Sequence, residues 1–246
     1  MKLTIVGCAP AWTRRAGRAS SCYLVEHDGR AIVFDLGQGA FAELGLYRPP
    51  HSVNAVLVSH LHPDHYIDLV PLRHYLKYEI GDFGRFEVHG PAQLTDRLDH
   101  LFAEDGFLDG MAFSALAPGR FICGGFYIEA ARVTHIPDSF AFRVAAGDGP
   151  GLVYSGDCGV ADDLLPLVRT GDVLLCEAAS GADPEQSGIH LDAASAASVA
   201  ACGQVSRLIM THVLDGAEAE AAKEAARRVY DGEVSVAEPG LTLTIG

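Results

Sequence analysis

Residues 53–65 read VNAVLVSHLHPDH: an apolar run of the kind that forms a buried strand, followed at once by His60, His62, Asp64 and His65. Three imidazoles and a carboxylate within six residues put nitrogen and oxygen donors into one loop, the ligand set of Zn²⁺, Mn²⁺ or Fe²⁺. No cysteine pair stands nearby, which argues against a closed structural zinc site. A polar turn carrying surface histidines is the plain alternative for this segment taken alone. That alternative weakens along the chain, where three more isolated ligand types each close an apolar run: Val-Thr-His135, Tyr-Ser-Gly-Asp157 and Met-Thr-His212. A rigid sheet presents side chains to a shared cleft at its strand ends, so these positions complete the donors that two metal ions need.

Around this segment, alternation and turn signals predict strands at 2–6, 21–26, 31–34 and 53–59, with a turn at His27-Asp28-Gly29. Helical spacing follows at 40–46, at 64–78 with a break at Pro71, and at 91–104, where proline suits the first turn. Strands return at 126–133, 140–145 and 152–154. The last third alternates strand 173–177, helix 192–202, strand 207–211, helix 217–230 and strands near 234–236 and 241–245. Residues 81–84 and 105–119 read as loops that select substrate. No Gly/Ser or Pro-rich linker divides the chain, so one α/β (α+β) domain over 1–246 is expected, with two sheets face to face and helices outside.

Eighteen basic against 32 acidic side chains give a net charge of −14, which opposes general nucleic-acid or anionic-membrane binding. An anionic substrate must therefore be drawn locally, and two divalent ions supply about four positive charges at one point. The six cysteines lack metal-binding or redox spacing and read as reduced, mostly buried thiols of a cytoplasmic protein. The start MKLTIVG lacks the pattern of a signal peptide, and no window reaches the length of a membrane span.

In its order HLHPDH, His135, Asp157, His212, the chain resembles the metallo-β-lactamase-fold hydrolases over nearly its whole length. The resemblance implies a four-layer αβ/βα sandwich and two divalent ions, usually zinc, with manganese or iron in some branches. It further implies His60, His62 and His135 on one ion, Asp64, His65 and His212 on the other, and Asp157 bridging. The runs THIPDSFAFRV, YSGDCG, LLCEAAS and SGIHLDAASAASVAA before LIMTHV are similar to those of the ribonuclease-Z-like and atypical class II cyclic-nucleotide phosphodiesterase branch. That branch implies an additional His190 paired with Glu177. By the same resemblance Asp35, in Phe-Asp-Leu-Gly, supports a ligand histidine, with a turn-initiating Asp as its alternative. Ser139 and Phe140 would line the phosphate pocket. Cys158, beside Asp157, is expected to pack away from the metals, and His27, His51, His74, His89 and His100 are expected in turns or on helices.

These expectations amount to a phosphodiesterase using a metal-bridging hydroxide, with Asp64 steering that hydroxide and His190, oriented by Glu177, protonating the leaving alkoxide. Only 21 residues separate His135 from Asp157, where ribonuclease Z enzymes carry a long arm for transfer RNA. A small phosphodiester such as a cyclic nucleotide therefore fits better than transfer RNA 3′-processing. A thioester or lactone hydrolase on the same centre is the alternative from another class, and a non-catalytic scaffold is opposed by the full ligand set. Apolar residues near 66–78 are available to cover a substrate or a second copy in a homodimer.

Overall fold

The computed structural model describes residues 1–13, 15–183, 188–214 and 216–246. A first sheet has the order β14-β1-β2-β3-β4-β5-β6, built from β1 (Lys2–Gly7), β2 (Cys22–His27), β3 (Arg30–Phe34), β4 (Ala55–Leu57), β5 (Glu87–Gly90), β6 (Ala112–Ala115) and β14 (Thr242–Thr244). The second has the order β13-β12-β11-β10-β9-β8-β7, from β7 (Gly119–Cys123), β8 (Phe126–Val133), β9 (Ser139–Ala145), β10 (Gly151–Tyr154), β11 (Val173–Glu177), β12 (Arg207–Thr211) and β13 (Glu233–Val236). Each sheet is antiparallel in one half and parallel in the other: β3 through β6 and β10 through β13 pair in parallel.

Parallel neighbours need crossovers, and the crossovers supply the outer layers. On the first sheet these are α1 (Ala40–Leu44), α2 (Pro63–Tyr66), α3 (Leu69–His74) and α4 (Leu94–Phe102). On the second they are α5 (Ala193–Gly203) and α6 (Ala217–Arg227). Strands β3, β4, β10 and β11 are covered on both faces and correspondingly apolar. Between the sheets Phe34 stacks on Phe142 at 5.4 Å and Tyr23 leans on Tyr154 at 4.8 Å, among Ile5, Ile32, Leu57, Val144 and Leu175. This is the expected α/β four-layer sandwich. Among the described residues no helix is long and apolar enough to cross a membrane.

Several local expectations change. Strand 53–59 contracts to Ala55–Leu57. The helical run 64–78 breaks at Ile67–Asp68, whereas Pro71 sits in the first turn of α3, where its missing N–H has no intrahelical partner to lose. Its apolar residues Tyr66, Leu69, Leu72 and Leu76 face the first sheet, leaving Tyr78 exposed. Three strands, β5 to β7, occupy segments where periodicity gave no strand. Each is short or carries polar residues, and pairing with a neighbour rather than propensity orders it. His89 consequently lies in β5, stacked on Phe121 of the opposite sheet at 5.3 Å, and His27 ends β2. The β2–β3 turn has Asp28 and Gly29 at φ 47° and 76°, the left-handed pair of a tight hairpin.

Asp172, fully buried before β11, clamps the second sheet: it accepts from Arg143 at 2.7 and 2.8 Å, from the Gly151 N–H at 2.6 Å and from the Arg169 N–H at 2.9 Å. Asp172→Ala leaves a guanidinium and two amides without their acceptor and is expected to lower stability by about 3 kcal/mol. Urea denaturation checks this; a loss under about 1 kcal/mol would show that water replaces the carboxylate.

Candidate metal centre

Every candidate residue on a strand stands at or just past its carboxyl end: Asp35 after β3, His60 after β4, His135 after β8, Asp157 after β10, Glu177 closing β11 and His212 after β12. Open α/β sheets bind ligands at this edge, and here two such edges meet. Pro63 at the first position of α2 starts a single turn that turns Asp64 and His65 back toward the cleft, both buried.

The ligand atoms fall into two sets. His60 Nε2 and His135 Nε2 each lie 3.1 Å from His62 Nδ1, and Asp157 Oδ2 stands 3.6 Å from the first and 3.7 Å from the second. In the other set Asp64 Oδ2 is 3.1 Å from His212 Nε2 and 3.5 Å from His65 Nε2. Asp157 faces both, with Oδ1 3.4 Å from His65 Nε2 and Oδ2 3.8 Å from His212 Nε2.

Hydrogen bonds outside the cluster assign the tautomers. His65 Nδ1 donates to Asp35 at 2.7 Å, His135 Nδ1 to the Ile189 carbonyl at 2.7 Å, and His60 Nδ1 to Ser59 Oγ at 3.0 Å. Each then presents Nε2 with its lone pair inward. His62 Nδ1 can donate to at most one of the two nitrogens aimed at it, and His65 Nε2 and His212 Nδ1 are buried atoms without a hydrogen-bond partner among the described residues. Burial and neighbouring His65 push His60 well below its ordinary pKa, and burial also lowers His62 and His135. Asp157 stays ionised despite burial because His212, His65 and His60 surround it, and the hydrogen bond to His212 together with neighbouring His65 holds Asp64 below its usual range. Asp157 and Asp35 raise His65, and Asp157 and Asp64 raise His212, so the cluster sets three imidazoles held below their ordinary pKa beside two drawn up by carboxylates, and five imidazoles converging on two carboxylates form a donor set that fits divalent cations.

Asp35 lies behind this set. Fully buried, its carboxylate takes the Ser59 N–H at 2.6 Å, Ser59 Oγ at 2.8 Å, His65 Nδ1 and the Tyr154 hydroxyl at 2.6 Å. Its φ of 59° is a left-handed conformation that Asp tolerates, and it aims the side chain off the strand axis. At Gly37 a Cβ would stand 1.9 Å from the Asp64 carbonyl, so glycine lets the α2 loop lie against this turn. Ser59 and Tyr154 escaped the sequence reading, although a tyrosine inside a buried strand must find a partner for its hydroxyl.

On the open side, His190 Nδ1 is 2.9 Å from Glu177 Oε1 and 3.9 Å from Asp157 Oδ2. Glu177 also accepts the Cys158 N–H at 2.9 Å and the Ala179 N–H at 2.8 Å, which fixes it from two directions. Burial opposes a charged His190, but the hydrogen bond and charge of Glu177 prevail and raise its pKa. Cys158 is buried in the outer core with its thiol on the Val160 carbonyl. Ser139 and Phe140 do not line the cleft: the hydroxyl donates to the Ile136 carbonyl at 2.9 Å and the ring is buried between the sheets, because β9 begins at Ser139 and carries both side chains into packing. A cavity of about 790 Å³ lies at the Gly147–Pro150 turn instead, where Arg143 is tied to Asp172 and Arg169 to Glu129, so it has none of this chemistry.

A family profile described as the Beta-lactamase superfamily domain matches residues 30–213. An uncharacterized protein of Mycobacterium leprae is 30% identical over all of this chain and 89% of its own length. The probable metallo-hydrolase YhfI of Bacillus subtilis is 27% identical over 98% of both chains, and a Haloferax volcanii ribonuclease Z is 25% identical over 100% of this chain and 95% of its own. The crystal structure of YhfI superposes with a TM-score of 0.86 at 24% identity, covering 98% of both chains. A diphosphatase of the PhnP family superposes at 0.74 with 17% identity, covering 100% of this chain and 98% of its own. The chain belongs to the β-lactamase superfamily.

Asp35→Asn keeps the size of the side chain but weakens the acceptor that orients His65. Metal affinity, read by competition with a chromophoric chelator, is expected to fall about 10- to 100-fold. Unchanged affinity would show that His65 is held by packing alone.

Proposed function

We propose that this protein is a phosphodiesterase acting on a small phosphodiester such as a cyclic nucleotide, with two divalent ions, zinc foremost, at the centre. His60, His62 and His135 would hold one, Asp64, His65 and His212 the other, with Asp157 between them. When bound, such a pair acts as a Lewis acid on phosphoryl oxygen and lowers the pKa of coordinated water. The observation that carries the phosphodiester reading is the Glu177–His190 pair at the mouth of the centre. Cleaving a phosphodiester expels an alkoxide, which needs a proton near neutral pH. With Nδ1 committed to Glu177, His190 turns Nε2 outward, and its raised pKa keeps the acid form available. Asp64 supplies a carboxylate that steers the attacking water toward phosphorus. The six free thiols suit a reducing cytoplasm, and residues 1–246 act as one unit.

The ribonuclease Z relative makes transfer RNA 3′-processing the second reading. Against it, the chain between His135 and Asp157 is spent on β9, a Gly147–Gly149 turn and β10, which leaves no arm to grip an RNA, and the net charge is −14.

Metal-reconstituted protein is expected to hydrolyse bis-p-nitrophenyl phosphate and 3′,5′-cyclic AMP. His190→Ala should lower kcat by about 10²- to 10⁴-fold while metal content holds, and Asp64→Ala should lose both metal and activity. Efficient cleavage of an activated thioester, unaffected by His190→Ala and without turnover of either diester, would move the reaction from phosphorus to carbon.

A further inference from the structure

Apart from the candidate metal centre, a second set of ligand types meets between the sheets: one ligand atom each of Glu87, His89 and Cys123 lies within 4.8 Å of the other two. Glu87 and His89 stand two residues apart on β5, so both face the second sheet, while Val88 between them packs under the outer helices. Opposite them β7 ends at Cys123 and turns through Gly124 and Gly125, at φ 55° and 84°, into β8. A Cβ on Gly124 would stand 2.6 Å from Ile32 Cγ2 and 3.1 Å from Asn54 Cβ, so glycine lets this hairpin press against the first sheet. The Gly124 N–H donates to Glu87 Oε2 at 3.1 Å, and His89 Nε2 lies 3.1 Å from the same oxygen. The hairpin thus meets the first sheet where β4 and β5 begin, whereas the candidate metal centre gathers where β3 and β4 end.

A fully buried cysteine ordinarily packs as a small hydrophobe. Cys123 instead faces a carboxylate and an imidazole, and burial together with Glu87 pushes its thiol pKa up. A bound cation reverses that balance, because coordination removes a thiol proton outright. Thiolate sulfur, imidazole nitrogen and carboxylate oxygen are all ligands of zinc. Bond lengths of about 2.0–2.3 Å place the ligands of a tetrahedral zinc ion about 3.3–3.8 Å apart, within side-chain rotation of the spacing here. An open groove of about 600 Å³, bordered by Arg85, Glu87, His89 and Ile122, gives an ion access from solvent. Arg85 in that groove and Arg30, which donates to the Gly125 carbonyl at 3.2 Å, are the neighbouring positive charges. They oppose an ion only weakly, since a divalent cation with one thiolate and one carboxylate is a neutral unit.

We propose that Glu87, His89 and Cys123 form a further binding site for a thiophilic divalent cation of the zinc class, which clips β5 of the first sheet to the β7–β8 hairpin of the second. The ion takes the place of the Cys123 thiol proton, which leaves to solvent. His89 binds through Nε2 with its own proton carried on Nδ1, and water from the groove fills the fourth position. Sequence spacing conceals the site, because Cys123 stands on a different sheet from Glu87 and His89.

Cobalt(II) distinguishes this site from the candidate metal centre, whose donors include no sulfur. Metal-free protein titrated with Co²⁺ in a phosphine reductant is expected to develop a saturable thiolate-to-cobalt charge-transfer band in the near ultraviolet, which excess Zn²⁺ removes. Cys123→Ser should abolish the band and bind one equivalent of Co²⁺ fewer than wild type. Glu87→Gln, at a partly exposed side chain whose loss the fold tolerates, should shift the titration of the band to about tenfold higher Co²⁺ or more. No band in wild type at saturating Co²⁺ overturns the site. So does a band that survives Cys123→Ser, which assigns the sulfur to another cysteine, or one indifferent to Glu87→Gln. The band is read from sulfur alone, so its outcome depends neither on the ions at the candidate metal centre nor on the phosphodiester reading.

Discussion

One buried carboxylate joins the two halves of this molecule at the place where its chemistry is assembled. Asp35 ends a strand of the first sheet, yet it accepts the hydroxyl of Tyr154 from the second sheet together with Ser59 and His65 of its own. A charge so deeply buried is tolerated only with its lone pairs filled, and filling them fixes where the carboxyl ends of β3, β4 and β10 stand relative to one another. The left-handed backbone at Asp35, and the glycine two residues on that lets the Asp64 loop settle against it, are the local costs of that arrangement. His212 carries the same left-handed conformation at the end of its own strand, φ 61°. Strained backbone at the ends of strands is what turns side chains out of the pleat and into a shared cleft.

Much of this was legible in the sequence because the cluster is local. His60, His62, Asp64 and His65 declare themselves within one loop, and each later donor is a polar residue at the end of an apolar run, which composition makes conspicuous. The central strands were also legible, since coverage on both faces makes them continuously apolar. What escaped depends on partners distant in sequence. β5 carries Glu87 and His89 and becomes a strand through β4 and β6. Phe140, placed at the phosphate pocket by its nearness to His135, belongs to the core between the sheets because β9 starts one residue earlier than its apolar run. Tyr154 reads as an ordinary strand tyrosine until its hydroxyl is found on Asp35.

Charge follows the same division between local and global. A chain at −14 repels phosphate at long range. At the centre, however, five imidazoles face two carboxylates, burial holds His60, His62 and His135 below their ordinary pKa, and the lone pairs of these three suit added positive charge rather than added negative charge. Positive charge introduced there acts in a buried, weakly screened setting, so it governs what binds within a few ångströms whatever the outer surface carries. His190 stands where that field meets solvent, its proton held by Glu177.

The most direct measurement is anomalous X-ray diffraction from crystals grown with zinc, recorded on both sides of the zinc absorption edge. Two peaks about 3.5–4 Å apart, as in two-metal hydrolase sites, are expected on either side of Asp157. One would lie among His60, His62 and His135, the other among Asp64, His65 and His212. No peak in the cluster, or a single peak elsewhere in the chain, would contradict the dinuclear centre.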